Sequence, residues 1–260
     1  MSSTPKKFDP TSESKLNYKT IGIIVILTIS YQLYISEIML DNGEFQFGSI
    51  TYSLSSLISG IFALYVSRRY RGSEVFGVTY TALGIGLLLL FAGDVTYIFS
   101  DYVLFEDPYP SIADVFFLIF YPFTAYHLIR NVHYFKKKFN LQSKLFIPGL
   151  PLAITLIFAF FSFDEIEGHT FDFYFGLIYV FGSSLILSLA ILGVTVFRNS
   201  ILGVAWLLLA IGLFLFTFAD VWYYYLELVG EYTEQHFINT LWITSHMIII
   251  YALYKHKKII

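Results

Sequence analysis

The sequence predicts an all-α membrane protein with about eight transmembrane helices in two tandem parallel four-helix repeats, both termini being cytoplasmic. Three observations lead to this prediction. Hydrophobic residues make up 57% of the 260-residue chain and charged residues 13%, and the apolar residues gather in runs of about 20, the length that crosses a bilayer. The first half of the chain recurs in the second half. Every Lys and Arg falls on the terminal tails or on alternate connectors between the runs.

The apolar runs predict the helices in order. We expect spans over residues 20–40, 46–66, 76–100, 111–130, 145–163, 173–197, 201–226 and 237–254. The mean hydropathy is +0.67, which is far outside the range of soluble domains. Because only short polar connectors separate the runs, little of the chain remains for a soluble domain.

An internal repeat divides the spans into two halves. The sequence Ser-Ser-Leu-Ile at 55–58 recurs 128 residues later, and Asp94 with Tyr97 is matched 126 residues later by Asp220 with Tyr223. A repeat of this length indicates one membrane module duplicated, rather than a solenoid or a propeller. Duplicated membrane folds commonly place their binding site where the two halves meet.

The repeat and the charge pattern together predict the domain boundaries. Residues 1–19 form an N-terminal tail, 20–130 the first repeat, 131–144 a basic connector, 145–254 the second repeat and 255–260 a basic C-terminal tail. An even number of spans in each half makes the two repeats parallel.

The distribution of positive charge predicts the orientation. The 16 Lys and Arg residues lie within 6–19, 68–71, 130–144 and 255–258, with Arg198 on a further connector. By the positive-inside rule, both termini and these connectors are cytoplasmic in a multi-pass protein of the cell membrane. Because the basic residues lie at the inner membrane surface, anionic lipids are their expected partners, and nucleic-acid binding is not predicted.

Two carboxylates lie inside predicted spans, where an ionisable residue indicates a functional site. Asp94 is in the third span and Asp220 holds the equivalent place in the seventh. Tyr97 and Tyr223 follow three residues later, so each phenol shares a helix face with its carboxylate and can donate to it. Such a pair is suited to acid–base work, proton relay or cation binding. The alternative is that each aspartate only bonds a neighbouring helix and determines packing.

The fourth and eighth spans carry a second set of polar residues. Asp114 and Tyr121 are seven residues apart, on one helix face, and Asn239 and His246 are their equivalents 125 residues later. His246 is the best candidate for a titrating group within the membrane. The predicted ligand-binding residues are therefore Asp94, Tyr97, Asp114, Tyr121, Asp220, Tyr223, Asn239 and His246.

Other features limit the chemistry. The chain contains no cysteine, which excludes disulfides and thiolate metal sites. No HExxH or comparable spacing occurs, so no metal is predicted, and any cofactor remains unknown. Many of the tyrosines near span ends, including Tyr31, Tyr223 and Tyr224, are interpreted as interfacial belts.

One stretch of the chain resembles a known family. Gly93-Asp94, the run Asp-Pro-Tyr-Pro-Ser-Ile-Ala-Asp-Val-Phe-Phe-Leu at 107–118 and Tyr121-Pro122 are similar to the multi-span membrane region that precedes output domains in many prokaryotic diguanylate cyclases and sensor histidine kinases. The resemblance implies a sensory or ligand-binding membrane module. Only six residues follow Tyr254, so we expect any signal to pass through a separate partner.

A second resemblance favours an enzyme. Gly93-Asp94, Asp220 and the run Ser-His-Met-Ile-Ile-Ile at 245–250 are similar to motifs of lysoplasmalogenase-like membrane hydrolases, which also have eight spans. This would make Asp94 and Asp220 the acid–base pair acting on a lipid headgroup, with His246 as the third catalytic residue. Whether the protein is an enzyme stays open at this point.

Three functional hypotheses follow. The first is a sensory or ligand-binding module with an outward-opening polar pocket for a cation or an amphiphile. The second is the intramembrane lipid hydrolase, and the third is an accessory subunit of a larger membrane complex. The expected partners are membrane lipids together with another membrane protein or a second copy of the chain.

Overall fold

The computed structural model describes residues 15–38, 47–106, 108–165, 170–233 and 235–257. These residues form eight long α-helices and no β-strand. The helices are α1 (Tyr18–Leu33), α2 (Phe47–Arg69), α3 (Phe76–Phe99), α4 (Ile112–Phe135), α5 (Leu141–Ser162), α6 (Thr170–Phe197), α7 (Gly203–Val229) and α8 (Phe237–Lys257). All eight are long and apolar enough to cross a membrane. The prediction of an all-α chain with eight such helices is confirmed.

Two helices continue beyond their α-helical ends as π-helical turns. α1 is followed by the turn Tyr34–Ile38, and α3 by the turn Ser100–Leu104. The second turn ends at Phe105, whose φ of 55° lies in the left-handed region and terminates the helical path. The third span is therefore longer than the sequence predicted, because its polar residues continue the helix instead of breaking it.

Side-chain caps explain where several helices begin and end. The side chains of Asn17 and Asn140 accept a hydrogen bond from a backbone N–H in the first turns of α1 and α5. Ser111 and Asp114 form a capping box at the start of α4. α7 ends at Gly230, whose φ of 69° is one that glycine adopts without steric cost.

Six of the helices form a closed ring. Around this ring α2 packs on α3, α3 on α4, α4 on α6, α6 on α7, α7 on α8, and α8 again on α2. The other two helices lie outside it, α1 against α8 and α5 against α6. Both present exposed apolar side chains, among them Ile26 on α1 and Leu156 and Phe160 on α5, as a helix bordered by lipid does.

Small residues allow the ring helices to approach closely. A Cβ atom on Gly93 of α3 would lie 2.3 Å from Cε1 of Phe117 on α4, and one on Gly193 of α6 would lie 2.3 Å from Cζ3 of Trp206 on α7. Aromatic rings thus rest directly on neighbouring backbones, which is how membrane helices gain van der Waals contact. The first of these contacts positions Phe117 in the wall of the cavity described below.

Polar contacts hold α1 to the outside of α8. The hydroxyls of Thr28 and Thr244 are 2.9 Å apart, and Thr240 donates to the side-chain oxygen of Gln32. Near the same level Tyr31 packs with Ile35 and Ile243 in a small apolar cluster. α1 is thereby placed so that its last turn reaches the interior of the ring.

Candidate functional site

A cavity of about 120 Å³ lies inside the ring of six helices. Each ring helix contributes to its wall, and Tyr31 and Ile35 add the end of α1. The lining residues of α3 and α7 extend from the middle of those helices toward their C-terminal ends, and those of α4 and α8 come from the first halves. The cavity is therefore at the end of the bundle opposite the basic connectors 68–71 and 136–144.

Seven of the eight predicted ligand-binding residues line this single cavity. They are Asp94, Tyr97, Asp114, Tyr121, Asp220, Tyr223 and Asn239. The sequence could not show whether the two intramembrane aspartates share a space or only lie at equal depth. The structure places both in the wall of one cavity, and both are almost completely buried.

Asp220 is held by donors from neighbouring helices, among them Trp242 and Tyr121, with Ser183 of α6 as a further polar contact. The indole N–H of Trp242 donates to Asp220 Oδ1 over 2.9 Å, and the Tyr121 hydroxyl donates to Oδ2 over 2.9 Å. Tyr121 is on α4 and Trp242 is on α8, so this carboxylate of α7 connects three helices of the ring. Both donors are neutral, and they orient the carboxylate without cancelling its charge.

Asp94 is held from α2. The Ser56 hydroxyl donates to Asp94 Oδ2 over 2.8 Å, and Tyr52, one helical turn earlier, adds a further polar contact. Ser53, Ser56 and Ser59 are all buried on this face of α2. Of these three serines only Ser56 belongs to the Ser-Ser-Leu-Ile repeat of the sequence, and its role as the partner of Asp94 appears only when α2 and α3 pack together.

Asp114 has a structural role that the sequence interpretation missed. Its Oδ2 accepts the backbone N–H of Ser111 over 2.8 Å, which completes the capping box of α4, and its Oδ1 accepts the Tyr179 hydroxyl over 2.8 Å. The pattern Ser-x-x-Asp before an apolar run is a recognisable helix start. Asp114 thus lines the cavity while also closing the N-terminus of its own helix.

The tyrosine that follows Asp220 by three residues contacts groups other than that carboxylate. The Tyr223 hydroxyl interacts with Glu227 one turn further along α7, and the hydrogen bonds described for Asp220 come from Tyr121 and Trp242 instead. Its ring instead lies against Tyr232 and Trp242, with centroids 4.7 and 5.3 Å away. Tyr232 also donates to Asn239 Oδ1 over 3.2 Å. The neighbouring helix, rather than the i+3 position, supplies the donors.

His246 lies outside the cavity. It is 1% exposed, its Nδ1 is 3.2 Å from the Ser59 hydroxyl, and its Nε2 has no hydrogen-bond partner among the described residues. The ring of Phe216, which does line the cavity, stands 6.2 Å from the imidazole. Direct contact between His246 and a ligand, which the sequence predicted, is therefore not supported by this arrangement.

Aromatic side chains make up much of the wall, and the sequence analysis missed most of them. Eleven of the twenty described lining residues are Tyr, Phe or Trp: Tyr31, Tyr52, Tyr97, Phe117, Tyr121, Tyr179, Phe216, Tyr223, Tyr224, Tyr232 and Trp242. The interpretation of Tyr31, Tyr223 and Tyr224 as an interfacial belt is corrected, because these rings face the cavity. The sequence did contain a sign that Tyr223 and Tyr224 face the site. They follow Asp220 by three and four residues, and residues at these spacings share a helix face.

Tyr109 stands beside this wall, in the connector before α4. Its ring centroid is 6.4 Å from that of Tyr224 and 6.0 Å from that of Phe175. Burial, reinforced by the nearby charge of Asp172, raises the pKa of Tyr109 above its usual value.

Comparison of the chain with protein-family profiles, curated proteins and solved structures gives no match. Function must therefore be argued from the site itself. The cavity combines three buried carboxylates with an aromatic wall, an arrangement that suits binding of a small polar or cationic group more directly than it suits covalent chemistry.

Proposed function

We propose that the protein is a multi-pass membrane protein of two parallel four-helix repeats that binds a ligand in the outward-opening cavity between them. The termini are cytoplasmic, the chain resides in the cell membrane, and binding is passed on through a partner protein. The observation that carries this proposal is the meeting of Asp94 and Asp220, from equivalent sequence positions, in the wall of one cavity.

The helix contacts support the repeat. A twofold relation between the halves pairs α2 with α6, α3 with α7 and α4 with α8. It requires each contact in one half to have a counterpart, and α2–α3 is matched by α6–α7, α3–α4 by α7–α8, and α4–α6 by α8–α2. The outer helices α1 and α5 depart from this symmetry, because α1 packs across the boundary on α8 while α5 packs on α6 in its own half.

The orientation is supported by the charge pattern and can be tested because the chain has no cysteine. Lys138 lies in the connector between α4 and α5, and Asp164 lies in that between α5 and α6; both are exposed. We expect Asp164→Cys to react with a membrane-impermeant maleimide on intact cells, and Lys138→Cys to react only after permeabilisation. The cysteine-free parent is the control. The reverse pattern would show that the cavity opens to the cytoplasm.

Ligand binding is tested with a substitution on α3 whose larger side chain would fill the cavity. Ile98 lines the cavity, whereas Val95 on the same helix is exposed on the outer surface. Native mass spectrometry of the detergent-solubilised protein would be run with choline, oleate, lysophosphatidylcholine and lysophosphatidylglycerol as probes. We expect at least one probe to bind the parent and Val95→Trp, and to be lost from Ile98→Trp. If no probe binds, or if Ile98→Trp binds equally well, the cavity is not a ligand site.

The hydrolase remains the second candidate, and the pair of aspartates in one cavity is what favours it. Its weak point is His246, which is not among the described lining residues of the cavity. Purified parent and Asp220→Asn would be supplied with lysolipids and ether lipids, and products read by mass spectrometry. Product formed by the parent and absent from the variant would establish the enzyme and replace the binding proposal.

The accessory-subunit hypothesis is compatible with the same cavity. It differs in proposing that the protein is a subunit of a larger membrane complex. Cross-linking in native membranes, followed by solubilisation in a mild detergent, would separate a second copy from a different protein by mass. Recovery of the monomer alone from cross-linked membranes would contradict signalling through a stable partner.

A further inference from the structure

The cavity wall contains three buried carboxyl groups and no positively charged side chain among its described residues. Asp94, Asp114 and Asp220 are 3%, 6% and 4% exposed, and the described lining includes no lysine, arginine or histidine. The donors that reach these carboxylates are hydroxyl, indole and backbone N–H groups, all neutral. A carboxylate inside a membrane protein is costly unless a proton or a cation compensates it.

The aromatic wall is suited to a particular kind of cation. Trp242 stands between two tyrosines, with ring centroids 5.8 Å from Tyr52 and 5.3 Å from Tyr223, and Tyr232 continues the wall 4.7 Å beyond Tyr223. Aromatic faces attract cations that come within about 6 Å of the ring centroid, and quaternary ammonium groups are recognised by such cages. Trp242 also links the wall to the charge, because its indole donates to Asp220.

The volume of the cavity limits the size of the ligand. A cavity of about 150 Å³ in another protein is large enough for benzene, and the cavity here is about 120 Å³. A group with four or five heavy atoms fits this space, whereas a whole lipid does not. A trimethylammonium group meets the size, the charge and the preference for aromatic faces together.

We propose that the cavity binds an organic ammonium group about the size of tetramethylammonium, with Asp94 and Asp220 supplying the countercharge and the Trp242 wall the cage. This inference rests on the proposed function, since it names the ligand class of the same cavity. The ammonium could arrive as a free solute or as the headgroup of a choline lipid; the chemistry recognised is the same.

Trp242 offers a direct reporter of binding. The chain has three tryptophans, and neither Trp206 nor Trp222 lines the cavity, so Trp206→Phe with Trp222→Phe leaves Trp242 as the only indole. Fluorescence of this parent would be titrated with choline chloride and with its neutral carbon isostere, 3,3-dimethylbutan-1-ol, at constant ionic strength. Lysophosphatidylcholine and lysophosphatidylglycerol below their micelle concentrations would test the lipid source.

We expect a saturable response to choline, and a Kd for the neutral isostere weaker by about tenfold or more. In the same background Asp220→Asn should weaken choline binding by about tenfold or more, because it removes a buried countercharge. The exposed Asp164→Asn is the matched control and should bind like the parent. Tighter binding of lysophosphatidylcholine than of choline would identify a lipid headgroup as the source, and the reverse a free solute.

A second pair of variants keeps the test independent of the folding of Asp220→Asn. Tyr223→Phe keeps the aromatic face and should bind choline within about threefold of the parent, whereas Tyr223→Leu should lose about tenfold. Equal affinity for choline and its isostere would overturn the ammonium inference while leaving the cavity a ligand site. Absence of any choline response would also overturn it, and the Ile98→Trp experiment would then decide separately whether the cavity binds anything.

Discussion

Replacing Trp242 by Phe removes the indole N–H that donates to Asp220 and leaves an aromatic ring in the cavity wall. The bond measures 2.9 Å and both partners are buried. A hydrogen bond to a charged acceptor contributes about 1.5–3 kcal/mol to stability, so the unfolding equilibrium should shift by about tenfold or more. Tyr121 and Ser183 then remain as polar contacts of the carboxylate.

Trp206 provides the matched control for this change. It is 1% exposed, and its Nε1 has no hydrogen-bond partner among the described residues. Its ring is held by stacking on Phe197, with centroids 4.5 Å apart. Trp206→Phe therefore loses ring area but no hydrogen bond, and it also removes a buried unpaired donor, whose burial costs about 1–3 kcal/mol. If burial alone decided the loss of stability, Trp206→Phe would be the more destabilising change, because Trp206 is the more buried residue.

The two variants would be compared by reversible unfolding in mixed micelles with an increasing fraction of denaturing detergent. Circular dichroism is the readout, since fluorescence changes with the substitution itself. We expect the Trp242→Phe protein to be less stable than the Trp206→Phe protein by about 1.5–3 kcal/mol. Equal losses, or a larger loss for Trp206→Phe, would refute the assignment of the Trp242 bond as a main support of Asp220.

Three further predictions concern the helix contacts around the cavity. Gly93→Ala should lower the stability by about 1–3 kcal/mol in the same unfolding assay, because its Cβ would lie 2.3 Å from a Phe117 ring carbon. Gly149→Ala, which has no atom of the described residues within 4 Å of its Cβ, is the control and should be neutral or stabilising. Tyr179→Phe removes the donor to the capping carboxylate of α4 and should cost about 1–3 kcal/mol, with increased amide hydrogen exchange in the first turn of α4. Ser56→Ala removes the hydroxyl that donates to the aspartate of α3 and should weaken choline binding in the Trp242 fluorescence assay, and an unchanged Kd would contradict a role for this hydroxyl in orienting that aspartate.

The sequence predicted those cavity residues whose side chains are unusual inside a membrane span. Asp94 and Asp220 stood out because a carboxylate in an apolar run is costly, and Asn239 was found as the repeat equivalent of Asp114. Tyr52 and Tyr179 did not stand out, because a tyrosine in a membrane helix has several ordinary roles. Their part in the site depends on which helix faces the aspartates.

His246 shows the limit of reasoning from polarity alone. An imidazole in an apolar span is as unusual as a carboxylate, and its equivalence to Tyr121 placed it at the level of the site. In the structure the Tyr121 hydroxyl donates to Asp220, whereas His246 contacts Ser59 and is not among the described lining residues of the cavity. Side-chain length and the identity of the neighbouring residues decide such a difference, and neither follows from the position in the repeat.

The sequence by itself determined the all-α class, the eight apolar helices and the pair of aspartates that mark the site. These three features depend on the free energy of transferring each residue from water into the membrane. The order of apolar and polar residues along the chain is therefore sufficient to predict them. Only the tertiary structure decided that six helices close into a ring, that α1 packs on α8, and that aromatic rings surround the carboxylates. Those features depend on contacts between residues far apart in the chain, where the shapes of side chains such as Gly93 and Phe117 select one packing among many of similar hydrophobicity.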